Sequence, residues 1–157
     1  MTGDGVNESG QGGEVRSATP ADVEAIERLV ERAYGVYVER IGGKPGPMHH
    51  DYAERVAEAE VTVVADGDAI VGLLIIYLRD DHLLIENVAV DPEHQGRGMG
   101  GRLLDLAEDR ARAADLEVVR LFTHERMTEN IALYEGRGYR EYERRDVRVF
   151  LVKELAE

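Results

Sequence analysis

The chain has no cysteine and no tryptophan, only two lysines and four prolines, and 6% aromatic residues. Without cysteine there is no disulfide framework, no thiol nucleophile and no thiolate metal site. Any catalysis therefore uses oxygen, imidazole or backbone groups. No stretch approaches the roughly 18 consecutive apolar residues of a membrane span. Residues Met1 to Gly13 have neither the basic start nor the apolar segment of a secretory signal, so a cytoplasmic protein with no membrane partner is expected. Positive charge is scarce too: 19 basic residues face 32 acidic ones, for a formal net charge of −13. Such a field repels phosphate backbones, which excludes nucleic acid as the expected partner, and it tolerates cationic amines better.

What is present suits one globular domain. The 157 residues are 43% apolar and 32% charged, enough for a single sizeable core. Residues 1–13 lack periodicity and large apolar groups, so they are expected to form a disordered tail before one domain spanning 14–157. Thr19-Pro20-Ala21-Asp22 reads as a helix start. Val23, Ile26, Leu29, Val30, Ala33 and Tyr34 then repeat at three and four residues, up to the breaker-rich 42–47 loop. A second helix is expected over His50 to Ala59. Two β-rich runs, Val61 to Ala65 and Ala69 to Leu78, flank Asp66-Gly67-Asp68 as a hairpin, and His82 to Val90 follows as a strand. After a glycine cluster, Leu103, Leu104, Ala107, Ala111 and Ala114 mark a long helix. Val118 to Thr123 is a strand, Thr128 to Glu135 a short helix, and Tyr139 to Arg145 with Val147 to Lys153 a last strand pair. This order implies an α/β fold, a mixed sheet with helices on both faces.

The glycine cluster carries the chemistry. In Val90-Asp91-Pro92-Glu93-His94-Gln95-Gly96-Arg97-Gly98-Met99-Gly100-Gly101, four glycines fall within six residues between a strand and a helix. Glycine lets backbone N–H groups converge on an anion at the positive end of a helix. A glycine-rich turn with no ligand is the bland alternative. Gly96 to Gly101 begins like a Walker phosphate loop, but Arg102 and Leu103 stand where Lys and Ser or Thr should be. Gly96, Gly98 and Gly101 fit a dinucleotide fingerprint, yet five residues separate them from the strand that should lead straight into it. Gln95, Gly98 and Gly100 meet the remaining pattern, Q/R-x-x-G-x-G/A.

That pattern, with Asn130-Ile131-Ala132-Leu133-Tyr134-Glu135-Gly136-Arg137-Gly138-Tyr139 one strand downstream, resembles the GNAT superfamily of acetyl-CoA-dependent N-acetyltransferases over residues 14–154. The resemblance implies a central sheet of six to seven mostly antiparallel strands, splayed between the fourth and fifth, with about four helices. It implies acetyl-CoA as cosubstrate and no metal. It assigns Gln95, Gly96, Arg97, Gly98, Met99, Gly100 and Gly101 to the CoA pyrophosphate, and Val88, Ala89 and Val90 to the pantetheine arm. The family often carries an asparagine seven residues before the tyrosine. Met127 stands there in this chain, and Asn130 is the expected substitute.

Tyr134 is the expected general acid, a phenol that can protonate the departing thiolate; packing against the sheet is its structural alternative. The attacking amine must also lose a proton. Glu86, in an otherwise apolar strand and on the face of Val88 and Val90 by simple alternation, is the expected base; pairing with an arginine such as Arg79 is the alternative role. Tyr34, Tyr37 and Met48, around the Gly/Pro loop, are the expected acceptor contacts; completing the core stripe of the first helix is the alternative role of Tyr34 and Tyr37. Adjacent His49 and His50 point apart on a helix and suggest no metal. The acceptor is expected to be a small-molecule or peptide amine, and the family resemblance admits a homodimer. The rival reading is a module of the same fold that binds or senses acyl-CoA without turnover.

Overall fold

Residues 13–155 are described by a computed structural model; the expected tail, apart from Gly13, lies outside them. The strands are β1 (Glu14–Ser17), β2 (Glu60–Asp66), β3 (Ala69–Leu78), β4 (Leu83–Val90), β5 (Val118–His124), β6 (Arg140–Arg145) and β7 (Arg148–Glu154). They form one mixed sheet in the order β1-β2-β3-β4-β5-β7-β6, in which β4 and β5 are the parallel pair. The helices are α1 (Val23–Gly35), α2 (Val38–Ile41), α3 (Tyr52–Glu58), α4 (Met99–Ala113) and α5 (Thr128–Gly136).

Local sequence explains most of these boundaries. Asp22 accepts the Thr19 N–H at 2.8 Å and both arms of Arg16 at 2.8 and 2.9 Å, which fixes the entry to α1. The α1 stripe Ile26, Leu29, Val30, Ala33 and Tyr34 is buried as its spacing requires. At the β2–β3 hairpin, Asp66 pairs with Ala69, leaving Gly67-Asp68 as a two-residue loop with Gly67 at φ 63°. The region expected as one loop holds more structure. Gly42, at φ 78°, closes the short α2 by bonding its N–H to the Val38 carbonyl, and Gly46–His49 makes a turn of 3-10 helix. The helix expected from His50 begins at Tyr52, because the Asp51 carboxylate accepts the Glu54 N–H at 3.1 Å and sets the cap.

Each face of the sheet has its own core. On one, α4 buries Leu103, Leu104, Ala107 and Ala111 against Leu74, Leu83, Ile85, Val119, Leu121 and Leu151. On the other, α1 and Tyr52 of α3 cover Val63, Leu73, Ile75 and Ala89. Strand β3 serves both cores, hence its unbroken buried run from Ile70 to Ile76. Among the described residues no helix is long and apolar enough to cross a membrane.

Two features of β4 open the sheet. Its pairing with β5 stops after Leu83↔Val119, Leu84↔Arg120 and Ile85↔Leu121. Against β3, Ile75 faces Asn87 while Ile76 faces Ile85, so Glu86 is an extra, bulged residue. A bulge bends its strand and raises the local twist, and β4 diverges from β5 from that point on. The resulting split is the expected one between the fourth and fifth strands.

Candidate active site

The glycine turn forms one end of the split. Pro92–His94 makes a single 3-10 turn, the Gln95 side chain folds back to donate to the Val90 carbonyl at 3.3 Å, and Gly98 caps α4 at φ 81°. Gly96 also sits at φ 82°, so both positions need the left-handed backbone that glycine adopts without strain. The first intrahelical bond runs from Arg102 N–H to the Gly98 carbonyl, which leaves the Met99, Gly100 and Gly101 N–H groups without helical partners. No acidic residue lies in that first turn to neutralise them. The result is a cluster of donors at the positive end of a fifteen-residue helix, a site built for an anion.

Asp91 holds this turn in place, a role the sequence did not reveal. It is buried, and its carboxylate accepts Arg32 Nε at 2.6 Å and His94 Nδ1 at 2.9 Å. Burial alone would raise its pKa, but those two partners outweigh it and the net shift is downward. Strand end, turn and α1 are thereby tied together.

Two cavities meet in the split. The first, about 470 Å³, runs from the glycine turn along β4 and is lined by Val88, Val90, Gln95, Gly96, Gly98 and Met99. Gly100, Gly101 and Asn130 line it as well, as do Leu133 and Tyr134 of α5. Of the residues expected here, two do not line it. Ala89 turns into the α1 core, and Arg97 is exposed on the turn. The second cavity, about 380 Å³, lies between the ends of β4 and β5 and the segment before α3. Its lining includes Glu86 and Asn87, His50, Phe122 and His124 of β5, and Arg148 of β7. Val88, Asn130 and Tyr134 line both cavities and so mark where they join.

Tyr134 is 6% exposed, and among the described residues none hydrogen-bonds its hydroxyl. Burial, and next the nearby Tyr37, push its pKa well above the ordinary phenol value, so it stays protonated throughout the neutral range. Asn130 Nδ2 contacts Met127 Sδ at 3.7 Å. Met127 itself is buried, which places Asn130 at the junction and Met127 in the wall of the second cavity.

The bulge corrects the expectation for Glu86. Alternation puts Leu83 and Ile85 on the α4 face, but past the extra residue Val88 takes that face while Ala89 packs toward α1. Glu86 therefore does not share the face of Val88 and Val90. It looks toward α3, where Arg55 grips both carboxylate oxygens at 2.9 and 3.0 Å. The partner is Arg55 and not Arg79, whose guanidinium lies over the Tyr77 ring at 4.8 Å.

Tyr34, Tyr37 and Met48 separate. Tyr34 lines the second cavity, but its hydroxyl points inward, 2.7 Å from Asn87 Oδ1 and 3.2 Å from the Val88 carbonyl. Asn87 Nδ2 in turn donates to the Tyr52 hydroxyl at 3.0 Å, and Tyr52 donates to the Pro47 carbonyl at 2.6 Å. This buried chain links α1, the bulged strand, α3 and the Gly/Pro segment. Asn87→Ala leaves two buried tyrosine hydroxyls short of a partner and should cost about 2–4 kcal/mol, read as a lower midpoint in urea denaturation. Tyr37 lines the first cavity, not the second. Its ring lies beneath Arg40, which forms a forked ion pair with Glu129 of α5 at 2.6 and 3.0 Å and so spans the split. Met48 lines neither cavity: the 3-10 turn directs it into the α1 core, while Gly46, Pro47 and His50 face the opening.

His50 was marked in the sequence only by its neighbours. In the fold it lines the second cavity with Glu86, and its Nδ1 is buried with no partner among the described residues. Burial is the largest influence on it and outweighs the attraction of Glu86, so its pKa falls and the ring is neutral near pH 7.

Known structures share this architecture. The PaiA N-acetyltransferase from Thermoplasma acidophilum, in complex with coenzyme A, aligns at a TM-score of 0.77 and 13% identity, over 90% of this chain and 98% of its own. The ribosomal-protein-S18-alanine N-acetyltransferase from Escherichia coli aligns at 0.74 and 19%, over 92% and 94%. A GNAT family acetyltransferase from Elizabethkingia anophelis with acetyl-CoA bound aligns at 0.63 and 19%, over 90% and 97%. No curated protein sequence matches the chain. At these identities the likeness establishes the fold, and family membership comes from the sequence profile: residues 23–139 match the acetyltransferase (GNAT) family, and the chain belongs to it.

Proposed function

We propose that this enzyme transfers an acetyl group from acetyl-CoA directly to an amine, with both substrates bound at once. The observation that carries the reading is the meeting of two cavities at Val88, Asn130 and Tyr134, one ending in the anion-seeking turn and the other ending at Glu86 and His50. The residues fit a CoA-type donor: unpaired N–H groups of Met99, Gly100 and Gly101 for the pyrophosphate, and the free edge of β4 for an amide-bearing arm. When bound, acetyl-CoA supplies a thioester, whose carbon–sulfur bond breaks as the carbon–nitrogen bond to the amine forms.

The chain's own groups then move two protons. Glu86, directed by Arg55, takes the proton of the incoming ammonium directly or through water, and Tyr134 gives its proton to the departing sulfur. A backbone N–H near Val88 or Ala89 stabilises the charge that develops on oxygen. No covalent enzyme intermediate is required. The test is to incubate the protein with acetyl-CoA and a panel of amines and follow free thiol. Release that depends on an amine supports transfer; binding of coenzyme A with no turnover on any amine supports a sensing module instead.

A further inference from the structure

We propose that the acceptor carries a carboxylate besides its amine, and that Arg148 and His124 at the rim of the second cavity bind it. The proposal rests on the transferase reading above and specifies its substrate class.

The charge of the cavity differs from that of the chain. Against a net −13 for the whole protein, the only carboxylate in the cavity lining among the described residues is Glu86, and the Arg55 guanidinium offsets its charge with one hydrogen bond to each oxygen. Arg148 also lines the cavity, yet none of the ion pairs among the described residues includes it. Other arginines of this chain pair with an acid, as Arg16, Arg32, Arg40, Arg55, Arg110 and Arg144 do. Arg148 is held instead by stacking, its guanidinium 5.6 Å from the centre of the Phe122 ring. That contact leaves its N–H edge free, and a guanidinium edge matches a carboxylate with two parallel hydrogen bonds.

His124 adds a second donor on the same side. It faces Arg148 directly across the β5–β7 pair, so the two side chains leave the sheet together. Its Nδ1 accepts the Arg126 N–H at 3.0 Å, which puts the proton of the neutral ring on Nε2. Both rim groups are therefore donors, while the groups suited to a proton-bearing amine, Glu86 and His50, line the same cavity. An amino acid, or a peptide amine with an acidic group nearby, meets both ends; a polyamine or a simple alkylamine leaves the rim unpaired.

Matched acceptors test this on the full chain: amino acids against the corresponding amino amides and decarboxylated amines, and acidic against neutral dipeptides. The expected result is a kcat/KM about tenfold to a hundredfold higher for the carboxylate-bearing member of each pair, the usual range for a charge-assisted hydrogen bond. Arg148→Glu should abolish or invert that ratio, Arg148→Lys should keep part of it, and the change should appear mainly in KM. Preference among free amino acids points to a small-molecule acceptor, and preference confined to the dipeptides points to a peptide end. Equal rates within each pair, or a ratio in Arg148→Glu within twofold of the wild type, overturn the carboxylate site and leave the transferase intact. No turnover with any amine, despite binding of coenzyme A, overturns both.

Discussion

Tyr134→Phe should lower kcat by about 10²–10⁴-fold, the range for losing a positioned acid, with little change in the affinity for coenzyme A. The substitution removes one oxygen from a ring that is otherwise packed, 6.2 Å from the Tyr139 ring in an edge-on contact. Among the described residues no hydrogen bond to that oxygen is lost, so stability should stay within about 0.5 kcal/mol of the parent, the span of substitutions that disturb no packing or bonding. That separation is the informative part. A tyrosine serving only as packing would leave both rate and stability untouched when its hydroxyl is removed. A proton donor loses rate alone. Single-turnover thiol release, set beside urea denaturation of the same variant, distinguishes the two.

Glu86→Gln should lower kcat/KM at neutral pH by a comparable 10²–10⁴-fold, and the loss should shrink as pH rises. An amine acceptor is mostly protonated at pH 7 and loses its proton unaided near its own pKa, about 8 for a peptide α-amine and about 10 for an alkylamine. A base that removes this proton is therefore needed most at low pH and least above that pKa. The wild-type and variant pH profiles should converge on the alkaline side. Were Glu86 present only to anchor Arg55, which also reaches Glu54 at 3.0 Å, the deficit would persist at every pH. The bulge that separates Glu86 from the Val88 face makes the experiment necessary, since it turns the carboxylate toward α3 and a guanidinium.

What could be read in the sequence was set locally. The turn at Gly96 and Gly98 requires positive φ whatever packs around it, and the spacing from Gln95 to Gly100 carried that requirement on its surface. Helices α1 and α4 were equally plain, because a stripe at three and four residues has one stable use. The parity of β4 was not legible. It depends on one extra residue opposite Ile75 and Ile76, and register against a neighbouring strand leaves no mark within the strand itself. The partner of Glu86 lies 31 residues upstream, on helix α3, which no local pattern predicts. The same holds for the Tyr34–Asn87–Tyr52 chain, which ties the hydroxyl of a cavity-lining tyrosine into the fold, and for Met48, which a single 3-10 turn directed into the core. His50 had only its neighbours as a signal: its burial beside Glu86 exists only once α3 and β4 are packed.

Titration of isotope-labelled protein with coenzyme A, followed through backbone amide resonances, addresses the foundation of all these roles. If a diphosphate is gripped by the open end of α4, the Met99, Gly100 and Gly101 amide signals should move downfield more than any others and saturate together. Absence of saturable binding, or largest shifts at a site remote from those three amides, would contradict the assignment of the cleft as a coenzyme A channel.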